Sequence, residues 1–392
     1  MPLSGRLPGA EQLVSQGREL TGLHDLGDDT WGEGLGRLLA SLEAEARLND
    51  VGLRVVTGDL LAHLTNRLRI VAWRRDHPEV ARGTIRAPLV IVGQPRTGTT
   101  ILYDLLAQDP AHRAPLSWEV DRPCPPPETA TYATDPRIAE VQAQLDVACQ
   151  LVPAFTAFHP LGARLAQECV RITGADFRSM IFATQYRVPS YARWLLWAAD
   201  MAPAYRWHRR TLEHLQSRHA GERWLLKSPG HVWCLGALLT EYPDAVLLQT
   251  HRDPLSVIAS LSALVAFLRR MACDDPSVAE AATEYVDYVV EALDRSIAAR
   301  RDGTIPADRV IDVQFGAFMA DPFGTVRTIY DRLDRQLDAA TERRMRDFLA
   351  AHPGDPGGHR YTFADTRLDA GELRERVRRY QDYFDVPSER VG

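Results

Sequence analysis

The sequence predicts an α/β fold, a parallel sheet flanked by helices, with an amino-terminal helical extension and a largely helical insertion. Three observations predict it. Short continuous apolar runs, suited to strands buried on both faces, recur at 88–92 (PLVIV), 224–227 (WLLK), 245–250 (AVLLQT) and 310–315 (VIDVQF). Helical stretches separate them, which implies parallel pairing through right-handed crossovers. The first run breaks into GQPRTGTT, a glycine-bounded turn, and then into the apolar start of a helix.

Taken in order, residues 34–76 carry apolar side chains at spacings of three and four, the signature of helix, and Asp76-His77-Pro78 ends them. Residues 1–85 are therefore expected to be a helical extension packed on the main domain. The core occupies 86–119 and 221–392, with PLSWEV as a second strand end, and a helical insertion fills 120–220. The whole chain, 1–392, is expected to fold as a single domain. The insertion is rich in rings: Phe155, Phe158, Phe177, Phe182, Tyr186, Tyr191, Trp194, Trp197, Tyr205 and Trp207. Most are expected in a core and a minority in the lining of an apolar pocket.

Composition narrows the function. A formal charge of -6 and scattered basic residues exclude general nucleic-acid binding. The opening MPLSGRLPGAEQLV has no apolar core after a charged start, and no window approaches eighteen apolar residues. A cytoplasmic protein without an integral membrane segment is expected. Five cysteines (Cys124, Cys149, Cys169, Cys234, Cys273) form no C-x-x-C and read as reduced core thiols. Of 46 basic residues, 45 are arginine; the single lysine is Lys227. It is either a chance surface survivor or a place where a compact point charge is needed and a planar fork will not serve.

Three elements carry candidate chemistry. From Gly93 to Thr100 the spacing G-x-x-x-x-G-T-T is that of a phosphate loop without its lysine, so the sheet is P-loop-like. Unpaired backbone N–H groups and the helix dipole favour a phosphate or sulfate there, Arg96 adds a cation, and Thr99 and Thr100 add hydroxyls. Many such patterns are only strand-to-helix turns. In THRDPLSVIAS, Arg252 stands at a strand end and Ser260 follows eight residues later, two helical turns along. They suit a second phosphate, although a local Arg252–Asp253 pair and a surface Ser260 explain the same residues. In LLKSPGH, Lys227 ends a strand, Ser228 caps a turn, Pro229 begins it, and His231 follows in the first turn. A helix start disfavours imidazolium, which makes His231 a candidate base or simply a core histidine.

Together these elements resemble the sulfotransferase superfamily. QPRTGTT is similar to its loop for the 5'-phosphosulfate of 3'-phosphoadenosine 5'-phosphosulfate (PAPS), which implies that Pro95, Arg96, Thr97, Gly98, Thr99 and Thr100 bind the donor. In that family an arginine followed eight residues later by a serine grips the 3'-phosphate, matching Arg252 and Ser260. A lysine and a catalytic histidine upstream match Lys227 and His231. The segments Trp118-Glu119, Gln167-Glu168-Cys169, Lys227 to His231, Thr250 to Pro254 and His359-Arg360-Tyr361 resemble bacterial members with a helical extension.

The GDPGGHRY segment resembles the basic loop that closes over the nucleotide, implicating His359 and Arg360, but it lacks the longer R-K-G-x-x-G pattern. The resemblance implies sulfuryl transfer to a hydroxyl of a small-molecule or lipid-linked acceptor, with no metal. Arg96, Thr99, Thr100 and Lys227 would stabilise charge, and His231 or Glu119 would act as base, with His159 a weaker third. A nucleotide kinase or NTPase, a binding protein without catalysis, and sulfation followed by elimination are the competing readings.

Overall fold

A computed structural model of the chain describes residues 6–28, 30–151, 161–352 and 361–391. Five parallel strands form one sheet: β1 Leu89–Gly93, β2 His112–Arg113, β3 Arg223–Lys227, β4 Val246–His251 and β5 Val310–Gln314, in the order β2-β3-β1-β4-β5. Leu89 pairs with Leu225 on one side and Val246 on the other, which puts β1 at the centre. The crevice between diverging connections therefore opens at the carboxyl ends of β1, β3 and β4, where open α/β sheets bind ligands.

The central stretches of β1, β3 and β4 are apolar because both faces are covered. Leu89, Ile91, Leu225, Leu248 and Ile311 pack into one core, while Val90, Val92, Leu226, Leu247 and Val310 pack into another on the opposite face. A third core is helical. There Leu13, Leu35, Leu38, Val56, Leu60 and Leu64 of the first three helices meet Phe177, Tyr191, Leu255 and Tyr285. The extension thus shares buried surface with the insertion and with the helix after β4. Its longest helix, Asp50–Asp76, begins where the Asn49 side chain accepts from Gly52 N and ends two residues before Pro78.

PLSWEV is not a strand end. The second strand is the two-residue β2, and Ser117–Asp121 is a helical turn, because the Glu119 side chain bonds back to Leu116 N (2.8 Å) and caps it. All five cysteines are free thiols; Cys169 and Cys273 are buried and the other three are partly exposed. No helix among the described residues is long and apolar enough to cross a membrane.

Three buried imidazoles limit the pH range of this packing. Burial pushes His63 and His214 down to about 4 and His208 down to about 3. The unfolded chain takes up protons on these groups near pH 6.5 while the folded chain refuses them until far lower pH. The stability they provide is therefore complete above about 6.5 and is lost as pH falls from there toward 4, by up to about 1.4 kcal/mol per unit for each. Urea midpoints should drop between pH 7 and pH 5; an unchanged midpoint would mean that these rings carry charge where they sit.

Candidate active site

The loop after β1 is built by close approach. A Cβ on Gly93, whose φ is +149°, would lie 2.2 Å from Thr250 Oγ1, and Gly98 caps the next helix, Thr99–Leu106, at φ +85°. Between them Arg96 holds a left-handed backbone, φ +68°, rare for a residue with a side chain. The second element holds it there. Arg252 donates from one terminal nitrogen to the Arg96 carbonyl (2.9 Å), and Arg96 Nε donates to Ser260 Oγ (3.0 Å). The Arg252 guanidinium also lies over the Phe315 ring, 4.1 Å from its centroid.

Among the described residues no carboxylate forms an ion pair with Arg96, a half-buried cation. Such a charge is costly without an anion. Thr97 differs from its neighbours, because its hydroxyl is buried between the Gln94 carbonyl (2.7 Å) and Thr250 Oγ1 (2.6 Å) and holds the loop to β4. Pro95, Arg96, Thr99 and Thr100 instead line a cleft of about 290 Å³.

Lys227, at the end of β3, is fully buried behind this cleft, outside its lining, and meets two residues that line it. Its ammonium donates to Thr100 Oγ1 at 3.1 Å and forms an ion pair with Glu168, which also lines the cleft. The lone lysine thus stands beside the loop that lacks one, supplied by the neighbouring strand. Glu168 has no assigned role in the sequence analysis; its one signal is the Gln167-Glu168-Cys169 segment.

His231 and Glu119 stand elsewhere. His231 lies in the turn Pro229–Trp233, with Nδ1 hydrogen-bonded to Tyr205 OH (2.7 Å), and lines a separate void of about 20 Å³. Burial drives its pKa well below the ordinary value, so the imidazole is neutral, for a reason other than the helix dipole. Glu119 is fully buried and accepts from an Arg113 terminal nitrogen (2.7 Å) as well as from Leu116 N. Burial raises its pKa against the pull of Arg113. Neither residue lines the cleft. His159, His359 and Arg360 lie outside the described residues.

The rest of the cleft is mostly apolar, with Ser117, Gln167, Arg171, Thr184 and Gln185 as its polar members. Leu161, Leu165, Val170, Met180 and Ile181 line it from the insertion, and Leu261, Leu264, Leu268, Trp233 and Tyr285 from the core. Phe155 and Phe158 lie outside the described residues, and none of the other eight rings of the insertion takes part. Phe177, Phe182, Tyr186 and Tyr191 are spent in the helical core, so the lining is mainly aliphatic.

The model of the sulfotransferase family matches residues 88–339, which include the loop, Lys227, Arg252 and Ser260. Over 272 residues the chain is 26% identical to the omega-hydroxy-beta-dihydromenaquinone-9 sulfotransferase Stf3 of Mycobacterium tuberculosis (strain CDC 1551 / Oshkosh), covering 68% of this chain and 67% of that protein. Its structure is similar to that of sulfotransferase STF9 from Mycobacterium avium, with a TM-score of 0.88 and 32% identity over 98% of both chains. Sulfotransferase STF1 from Mycobacterium tuberculosis H37Rv is similar with a TM-score of 0.84 and 30% identity, over 95% of this chain and 99% of that one. Since those likenesses run nearly end to end, helical extension included, and the family match spans the whole cleft, the chain belongs to the sulfotransferase family and is an enzyme of sulfuryl transfer.

Proposed function

We propose that the enzyme moves the sulfuryl group of PAPS to the hydroxyl of an elongated apolar alcohol, with Glu168 as the base. The observation that carries this reading is Arg96, a half-buried cation without a carboxylate partner among the described residues, lining a cleft with Thr99, Thr100 and Glu168, with Lys227 bonded to the last two from behind. Those groups suit the 5'-phosphosulfate, and Arg252 with Ser260 suits the 3'-phosphate. Bound there, PAPS supplies an electrophilic sulfur and a phosphate leaving group.

The protein's part is to place donor and acceptor in line and to meet the charge that develops on the leaving oxygen. Lys227 and the Thr100 hydroxyl sit together to do that. As Lys227 turns to the leaving oxygen, it releases the Glu168 carboxylate, which takes the proton of the attacking hydroxyl. His231 and Glu119 are outside the cleft lining and are hydrogen-bonded to Tyr205 and Arg113, which favours Glu168 over them as the base. An aliphatic lining favours an alcohol on a hydrocarbon body, and one relative is named for omega-hydroxy-beta-dihydromenaquinone-9.

Adenosine 3',5'-bisphosphate should raise the melting temperature by a few degrees without magnesium, and more than ADP or ATP does. A hundredfold excess over Kd adds about 2.7 kcal/mol. A long-chain alcohol should raise the melting temperature of that complex further, and a free sugar should not. Equal or greater stabilisation by magnesium-ATP would sink the PAPS reading.

A further inference from the structure

The guanidinium of Arg252 is already occupied. Its Nε donates to Glu389 Oε1 and a terminal nitrogen to Glu389 Oε2, both at 2.9 Å, a two-point fork on a carboxylate. Arginine forks grip phosphate in the same way. Glu389 comes from the segment after the helix Ala370–Phe384 and is brought across 137 positions of sequence. Its placement is built. The Glu389 N–H donates to Asp253 Oδ2 (2.6 Å), and Arg374 holds the same carboxylate at 2.7 and 3.1 Å.

Gln381 donates to the Val386 carbonyl (3.2 Å) and to Ser388 Oγ (3.3 Å). The helix below is fixed by Tyr380 OH on His251 Nδ1 (2.8 Å), at the end of β4. Burial opposes the charge on Glu389, but the bonds from Arg252, its charge and the Ser256 hydroxyl outweigh this and keep the pKa below the usual carboxylate range. The remaining Arg252 terminal nitrogen donates to the Arg96 carbonyl.

We infer that Glu389 is an internal anion standing in for the 3'-phosphate of the nucleotide, which leaves Arg252 when the nucleotide binds. The inference rests on the reading that Arg252 holds the 3'-phosphate. Without the nucleotide, Glu389 neutralises a partly buried guanidinium and keeps it aimed at the Arg96 loop. With the nucleotide, part of the binding energy of the 3'-phosphate goes into displacing the carboxylate. Affinity for donor and spent nucleotide is thereby lowered together, and release of the spent nucleotide is eased. A nucleotide with a 5'-phosphate and no 3'-phosphate gains nothing by displacing Glu389 and leaves it in place.

The test compares adenosine 3',5'-bisphosphate with adenosine 5'-phosphate by titration calorimetry on the full chain, using Glu389→Gln and Arg252→Ala. Glu389→Gln should tighten the bisphosphate about tenfold and leave the monophosphate unchanged, and Arg252→Ala should abolish the preference for the bisphosphate. Amide exchange across 386–391 should speed up with the bisphosphate and not with the monophosphate. An unchanged or weaker bisphosphate affinity in Glu389→Gln, with the preference still lost in Arg252→Ala, overturns the inference alone. Slower exchange of 386–391 with the bisphosphate overturns it too, since the segment would then close over the nucleotide. If Arg252→Ala keeps the preference, the assignment of the 3'-phosphate to Arg252 is wrong and the inference falls with it.

Discussion

Lys227→Arg is expected to lower kcat by about a hundred- to a thousandfold, the loss typical of removing one group that stabilises developing charge. The charge is kept, so the effect isolates shape. Lys227 has no exposed surface, and its ammonium meets Thr100 Oγ1 and Glu168 while lying 5.5 Å from the Tyr103 ring centroid. A planar guanidinium is wider than the ammonium and directs its hydrogens outward along a fork. It has no room to turn from Glu168 to a leaving oxygen. The KM for the donor should change little, because Arg96, Arg252 and Ser260 are intact. Steady-state kinetics at saturating acceptor reads both quantities, and near-normal turnover would make the lone lysine incidental.

Glu168→Gln should reduce kcat by about a hundred- to ten-thousandfold, the range for a lost general base. Glutamine keeps the size and one carbonyl acceptor for Lys227 but does not accept the proton. His231→Ala and Glu119→Gln are the comparisons. Both are expected to lower stability more than turnover, the first by stranding the Tyr205 hydroxyl and the second by weakening the partner of a buried Arg113. Urea unfolding measured beside turnover separates the two kinds of loss. A small kcat effect in Glu168→Gln, with a large one at His231, would return the base to the histidine.

Four of the strands were legible because a strand covered on both faces is largely apolar over a short run, while the two-residue β2, His112–Arg113, carries no such signal. WLLK and VIDVQF fall within one residue of β3 and β5. PLSWEV is a helical turn and not a strand end because Glu119, three positions after Leu116, caps it. In the candidate site, the turn of the loop and the placement of Ser260 two helical turns beyond Arg252 were legible because glycine geometry and helical repeat act over short spans of sequence.

Glu168 and Glu389 were not legible. Their partners lie 59 and 137 positions away, and no local rule relates a carboxylate to a cation at that distance. The rings of the insertion that the structure describes went mostly into cores, as expected, and none of them lines the cleft. Large rings fill a core more effectively than they line a cleft, and the helical core took them first.

One further property follows from the position of Lys227. A protease specific for lysine finds a single peptide bond in this chain, between Lys227 and Ser228, and both residues are buried at the end of β3. Cleavage requires that strand to leave the sheet, so two fragments appear only as fast as the catalytic end of the fold opens. The enzyme thus carries its own unfolding reporter, one cut at one place.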